Sequence, residues 1–134
     1  MLQPTRQDSA VQELLKADRI AIVGLSEGRV SERIALFLLG QGREIVPVNP
    51  SHSQVMGMKS YPSLLEVPGR VDLVNVFRRP EFCEAIVIDA IAVNAGGVWL
   101  QSGIINERAR AAAEAAGMPF VQDRCIMVEL AAAL

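Results

Sequence analysis

A doubly wound α/β domain, with a five-stranded parallel sheet and helices on both faces, is predicted by three features of the chain. Short continuous apolar runs recur without polar alternation, which marks strands covered on both faces. Longer amphipathic segments separate them, as crossover helices require. The first run, Ile20-Ala21-Ile22-Val23, breaks directly into the small-residue loop Gly24-Leu25-Ser26. The 134 residues suffice for one domain with a real core, and no linker or repeat divides residues 1–134.

Ser9 to Ala17 is expected as the first helix, with Val11, Leu14 and Leu15 on one side. Ile20 to Val23 is the first strand. Ser31 to Leu39 is the second helix: Ile34, Ala35, Leu38 and Leu39 recur at helical spacing, and Ser31 can cap it. Gly40 and Gly42 stop it. Ile45 to Val48 is the second strand. Pro47 inside it removes one donor, so pairing there is interrupted or lies at an edge. Ser51 to Pro68 reads as irregular, with one helical turn at Ser63 to Glu66. Val71 to Phe77 is the third strand, and Pro80 suits the first turn of a helix continuing to about Ala95. Val98 to Leu100 is the fourth strand. Asn106 caps a helix to Ala116, closed by Gly117; Phe120-Val121 is the fifth strand, and Ile126 to Leu134 is the last helix. Right-handed crossovers leave few topologies, and the order 3-2-1-4-5 is expected.

Composition narrows the function classes. A hydrophobic content of 51% with 21% charged residues is globular rather than disordered. The formal net charge of −2 supplies no global attraction to nucleic acid or to a membrane. Cys83 and Cys125 lie too far apart in sequence to suggest a disulfide framework, and no zinc-ligand set is present. The opening MLQPTRQDSA has no signal-peptide core, and no apolar run approaches the roughly 20 residues of a membrane span. A cytoplasmic protein with no nucleic-acid or membrane partner is the expectation.

Open parallel sheets take ligands beyond the carboxyl ends of their strands, where the strand order reverses. Those ends are Gly24-Leu25-Ser26, Asn49-Pro50, Phe77-Arg78-Arg79-Pro80 and Leu100-Gln101-Ser102-Gly103. The loop from Gly24 to Ser31 is neither G-x-G-x-x-G nor a P-loop. Gly24 nevertheless permits close backbone approach, and amides at the next helix N-terminus can hold a phosphate. Ser26 and Ser31 add hydroxyls, and Arg29 adds charge. A NAD-type site wants an acid about 20 residues past such a loop. Val48, Asn49 and Pro50 stand there instead. They either wall a base pocket or merely end the strand. Arg78 and Arg79 suit phosphate, or form a solvated charge pair. Trp99 reads as core, while Gln101 and Gly103 sit where a ligand chain would pass. His52, the only histidine, reads as an exposed loop residue. Cys125 reads as structural or redox-sensitive, since no second histidine exists to serve as its base. No carboxylate pair stands out for acid/base work.

Five ordered motifs carry a family resemblance: Val23 to Ser26, Val46 to Pro50, Val71 to Arg78, Val98 to Ile104, and Asp123-Arg124-Cys125. From about Ile20 to Glu129 the chain resembles the small stand-alone CoA-binding proteins, themselves similar to the N-terminal CoA-binding domain of the succinyl-CoA synthetase α subunit. The first loop, Glu27 to Val30, is short and lacks the prolines usual in that family. The resemblance implies a Rossmann-like fold and coenzyme A, or an acyl-CoA, at the switch point. It implies site positions at Gly24, Leu25, Ser26 and Ser31, at Val48, Asn49 and Pro50, at Phe77 and Arg78, and at Gln101 and Gly103. The chain has no residues left for the synthetase's second domain, so no catalysis of its own is expected. CoA carries a 3′-phosphate that an acid after the second strand would repel. Asn49-Pro50 is compatible, with Arg29, Arg33, His52 or Lys59 as possible supports. The alternatives are a small NAD(P)-dependent oxidoreductase and a ligand-sensing regulatory subunit.

Overall fold

The computed structural model describes residues 3–134, so Met1 and Leu2 of the expected single domain lie outside the described residues. Five parallel strands make the main sheet: β1 (Arg19–Val23), β2 (Glu44–Val48), β3 (Leu73–Val76), β4 (Val98–Leu100) and β5 (Phe120–Val121). Five helices surround it: α1 (Arg6–Leu14), α2 (Val30–Gly40), α3 (Cys83–Ala92), α4 (Glu107–Ala115) and α5 (Ile126–Ala133). One core cluster joins Val87, Ala90, Ala109 and Ala113, from α3 and α4, to Ala21, Val74 and Val98 of the sheet. The other joins α1, α2 and α5, through Leu14, Ile34, Leu38 and Leu130, to Ile22, Leu73 and Trp99. The sheet is thus covered on both faces, and the α/β doubly wound, Rossmann-like class holds.

The strand order is a correction. It is β2-β1-β3-β4-β5, not 3-2-1-4-5, because β3 pairs with β1 and leaves β2 at the edge. Pro47 supplies the reason. Its carbonyl points outward and accepts from Tyr61 N, so its missing donor falls on the same outer side. A full strand cannot pair there, and a single Val48–Tyr61 bridge covers the edge instead. The reversal of order therefore lies between β1 and β3, side by side through Ile20–Leu73 to Val23–Val76.

Local boundaries moved for identifiable reasons. α1 starts at Arg6 rather than Ser9, because Thr5 and Asp8 form a reciprocal capping box. Ser31 does not cap α2; Arg29 holds that position without a side-chain bond, and Ser31 lies within the first turn. Pro80 opens a separate 3₁₀ turn, Pro80–Phe82, before α3, which ends at Ala92 ahead of a left-handed Asn94. Within the segment expected to be irregular, Gln54–Val55 pairs with Met58–Lys59 in a hairpin. Its turn residues Met56 and Gly57 both take positive φ, 54° and 75°. The turn at Leu64–Glu66, the strand Val98–Leu100 and the Asn106 cap of α4 match expectation.

Candidate functional site at the β1/β3 switch point

Gly24 follows β1 with φ +91°, and a Cβ built there would lie 2.5 Å from the Phe77 carbonyl oxygen. The two strand ends at the switch point therefore touch main chain to main chain, which only glycine permits. Beyond Gly24 the loop is tied to itself. Ser31 Oγ accepts from Ser26 N at 3.0 Å and faces Ser26 O at 3.3 Å. The start of α2 has no side-chain cap, since Arg29 holds that position without a side-chain bond. Glu32 N is spent on Arg29 O at 3.1 Å, and the first two amides, of Val30 and Ser31, keep their donor capacity.

Asn49 joins this loop to the end of β2. Its Nδ2 donates to Leu25 O at 3.0 Å and to Ser26 Oγ at 3.2 Å, and its Oδ1 accepts from Ser51 N at 2.9 Å. Its main chain pairs with Tyr61 O, and Ser60 Oγ lies 3.4 Å from its carbonyl. The side chain is buried and spends both ends on the protein. Asn49 is a clamp between two strand ends, and its amide is not turned to a base edge.

Two clefts open here. The polar one, about 510 Å³, is lined by Gly24, Ser26, Arg29, Val30, Ser31, Asn49, Ser51, His52, Phe77 and Arg78. This is the size of an ordinary small-ligand site. Its cationic or ionisable lining groups are Arg29, His52 and Arg78, and no carboxylate stands among them. The apolar one, about 200 Å³, has walls from Val23, Val48, Pro50, Pro62, Leu64 and Ile86, with Asp89 at its border. Arg78 borders both. Its guanidinium lies 4.5 Å from the centre of the Phe82 ring, and no ion pair ties it to a carboxylate among the described residues. A half-buried, unspent cation on an aromatic shelf is suited to an anion. Another cavity, about 360 Å³ between α1, α4 and the start of β5, lies away from these strand ends. Its Arg6 and Arg110 are both paired with Glu114.

The sequence-predicted positions divide accordingly. Gly24, Ser26, Ser31, Asn49, Phe77 and Arg78 line the polar cleft, and Val48 and Pro50 line the apolar one. Leu25 is fully buried in the core. Gln101 and Gly103 line neither cleft. The Gln101 carboxamide oxygen accepts from Asn75 Nδ2 and from Ile126 N, both at 3.0 Å, and Gly103 N donates to Asp123 Oδ1. Trp99 is core, with its indole donating to Arg124 O. Sequence reasoning missed Phe82, Ile86 and Pro62. Phe82 had a legible signal, four residues past Arg78 at the start of a helix; Pro62 arrives from a loop whose path only the fold reveals.

The cysteines differ. Cys83 is buried, and burial pushes its thiol up to about 11, against the opposing charge of Arg78. Its Sγ faces the carbonyls of Arg78 and Arg79 at 3.9 and 3.6 Å. Cys125 is half-buried at the N-cap of α5. Among the described residues no cluster of His, Cys, Asp or Glu could hold a metal ion, and no helix is long and apolar enough to cross a membrane.

Compared with protein-family models, residues 18–131 match the one described as CoA binding domain. The chain belongs to this CoA-binding domain family. It is 35% identical to Uncharacterized protein YneT of Bacillus subtilis (strain 168) over 131 residues, covering 96% of each. The solved structure of a hypothetical protein from Pyrococcus horikoshii OT3 superposes with a TM-score of 0.87 at 32% identity, over 96% of this chain and 94% of that one. A shorter stretch of 59 residues is 34% identical to an ADP-forming acetate–CoA ligase I of Archaeoglobus fulgidus, covering 42% of this chain and 9% of the ligase. The likeness to the ligase is thus to one small part of it.

Proposed function

We propose that this CoA-binding-family protein binds coenzyme A, or an acyl-CoA, at the β1/β3 switch point and catalyses nothing by itself. The observation that carries the reading is the lining of the polar cleft: two arginines, a histidine and an uncapped helix start, with no carboxylate. Bound CoA would bring three phosphates, and a site for it needs donors and positive charge without an opposing acid. The α2 amides and Arg78 suit the pyrophosphate, and Val48, Pro50, Pro62 and Ile86 offer apolar wall for the base. CoA supplies the thiol or thioester; the protein's part is to hold and orient it. The absence of catalysis is supported by the state of the nucleophile candidates. The Cys83 thiol is buried and stays protonated at neutral pH, Cys125 lines neither cleft, and the sole histidine is an exposed residue of the polar cleft.

A NAD reading lacks its anchor, since Asn49 stands where the ribose-binding acid belongs and its side chain is already spent. The test is calorimetric titration of ligand-free protein with CoA, dephospho-CoA, NAD and NADP. CoA is expected to bind and NAD to bind weakly or not at all. Good NAD binding without CoA binding would overturn the proposal.

A further inference from the structure

We infer that Arg29 and His52 together read the 3′-phosphate of the ligand, and so set the preference for CoA over dephospho-CoA. This rests on the reading of the polar cleft as the CoA site. Four basic residues were open from the sequence, and the fold separates them. Arg29 and His52 both line the polar cleft. Arg33 lines neither cleft, although it is exposed on α2. Lys59 lies on the hairpin with its ammonium 5.1 Å from the centre of the Tyr61 ring, and it too is absent from both linings.

The two chosen residues come from neighbouring strand ends. Arg29 stands at the N-cap of α2, past β1; His52 stands in the turn past β2. In doubly wound folds the ribose lies over the end of the second strand, where an acid holds the hydroxyls or a cation accepts an added phosphate. Here that position presents Ser51 and His52, and Arg29 lines the same cleft. Asn49 is bonded to both of the segments that carry them. Through Leu25 O and Ser26 Oγ it grips the loop that carries Arg29. Its Oδ1 bond to Ser51 N and its carbonyl, 3.4 Å from His52 N, shape the turn that carries His52. No ion pair engages Arg29 or His52 among the described residues. A dianionic phosphomonoester between a guanidinium fork and an imidazole N–H gains charge-assisted bonds that a bare ribose hydroxyl cannot.

The experiment measures CoA and dephospho-CoA affinities for the wild type, Arg29→Ala, His52→Gln, the double variant and, as a control, Lys59→Ala. The wild type is expected to favour CoA. Each site variant should weaken CoA by roughly tenfold while leaving dephospho-CoA nearly unchanged, and the double variant should erase the preference. Lys59→Ala should behave as wild type. Equal losses for both ligands, or an undiminished CoA preference in the double variant, would overturn the assignment while leaving CoA binding intact. A wild type that binds neither ligand would instead overturn the CoA reading itself, and this inference with it.

Discussion

At Gly24 a positive φ and a carbonyl 2.5 Å from the would-be Cβ act together. Gly24→Ala must strain the backbone and push β1 from β3. Urea unfolding is expected to show a loss of about 1–3 kcal/mol, and an unchanged midpoint would mean that the approach is slack. Asn49 has a different role. Truncating it leaves Leu25 O and Ser51 N without their side-chain partners. Asn49→Ala should cost on the order of 1–3 kcal/mol and weaken CoA as well, by loosening both lips of the cleft. Arg78 carries no such structural load: its guanidinium rests on Phe82 and pairs with no acid among the described residues. Arg78→Ala is expected to weaken CoA binding about tenfold or more with little change in unfolding midpoint. Unchanged affinity would remove it from the site. Residue types at strand ends were legible in the sequence, but their roles were not. The resemblance implies Asn49 and Gln101 as site positions, and the fold shows that both side chains spend hydrogen bonds on distant main chain. Those bonds join residues more than 20 positions apart, and no local pattern reports them.

Elements were legible wherever a cap or an uninterrupted apolar run marked them. Asn106 is such a mark: its Oδ1 accepts from Ala109 N at 2.9 Å and starts α4. Its Nδ2 also donates to Pro80 O at 2.8 Å, tying α4 to the turn after β3. Asn106→Ala should cost about 0.5–2 kcal/mol by the cap alone, with a further loss if the Pro80 bond counts. Guanidinium or urea melts would measure the sum, and Asn106→Asp, which keeps the cap acceptor and loses the donor, would separate the parts. α2 shows the converse. Ser31 looked like its cap, but the loop turns so that Ser31 closes on Ser26 instead. The start of the helix is left open, at a cost in helix stability that a bound anion would offset. The hairpin at Gln54–Lys59 escaped notice because each arm is two residues long, and its signal was the Met56-Gly57 turn rather than any periodicity.

For the molecule as a whole, alkaline pH should expose the cost of burying Cys83. Its folded value, raised to about 11 from 9.0, lies above that of the unfolded chain. The stabilisation is complete below about pH 9 and is lost as pH climbs toward 11, because the unfolded chain releases its proton first. The loss is at most roughly 2–3 kcal/mol. Comparing the pH slope of stability for the wild type and Cys83→Ala isolates it from other alkaline titrations; identical slopes would exclude Cys83 as the source. The same scale separates what sequence and structure each decided. The sequence by itself determined the α/β class, the five strands, the covered sheet and the strand-end loops. These follow from local periodicity, glycine and proline, whose effects reach only a few residues. Pro47 left β2 either interrupted or at an edge, and the expected order 3-2-1-4-5 placed it inside the sheet, whereas it is the edge. Only the tertiary structure decided that β3 returns beside β1, so that Gly24 meets Phe77 and the clefts open between Arg78, Arg29 and His52. Strand neighbours are chosen by long-range pairing and by which edge can still donate, and that choice is made in the folded sheet.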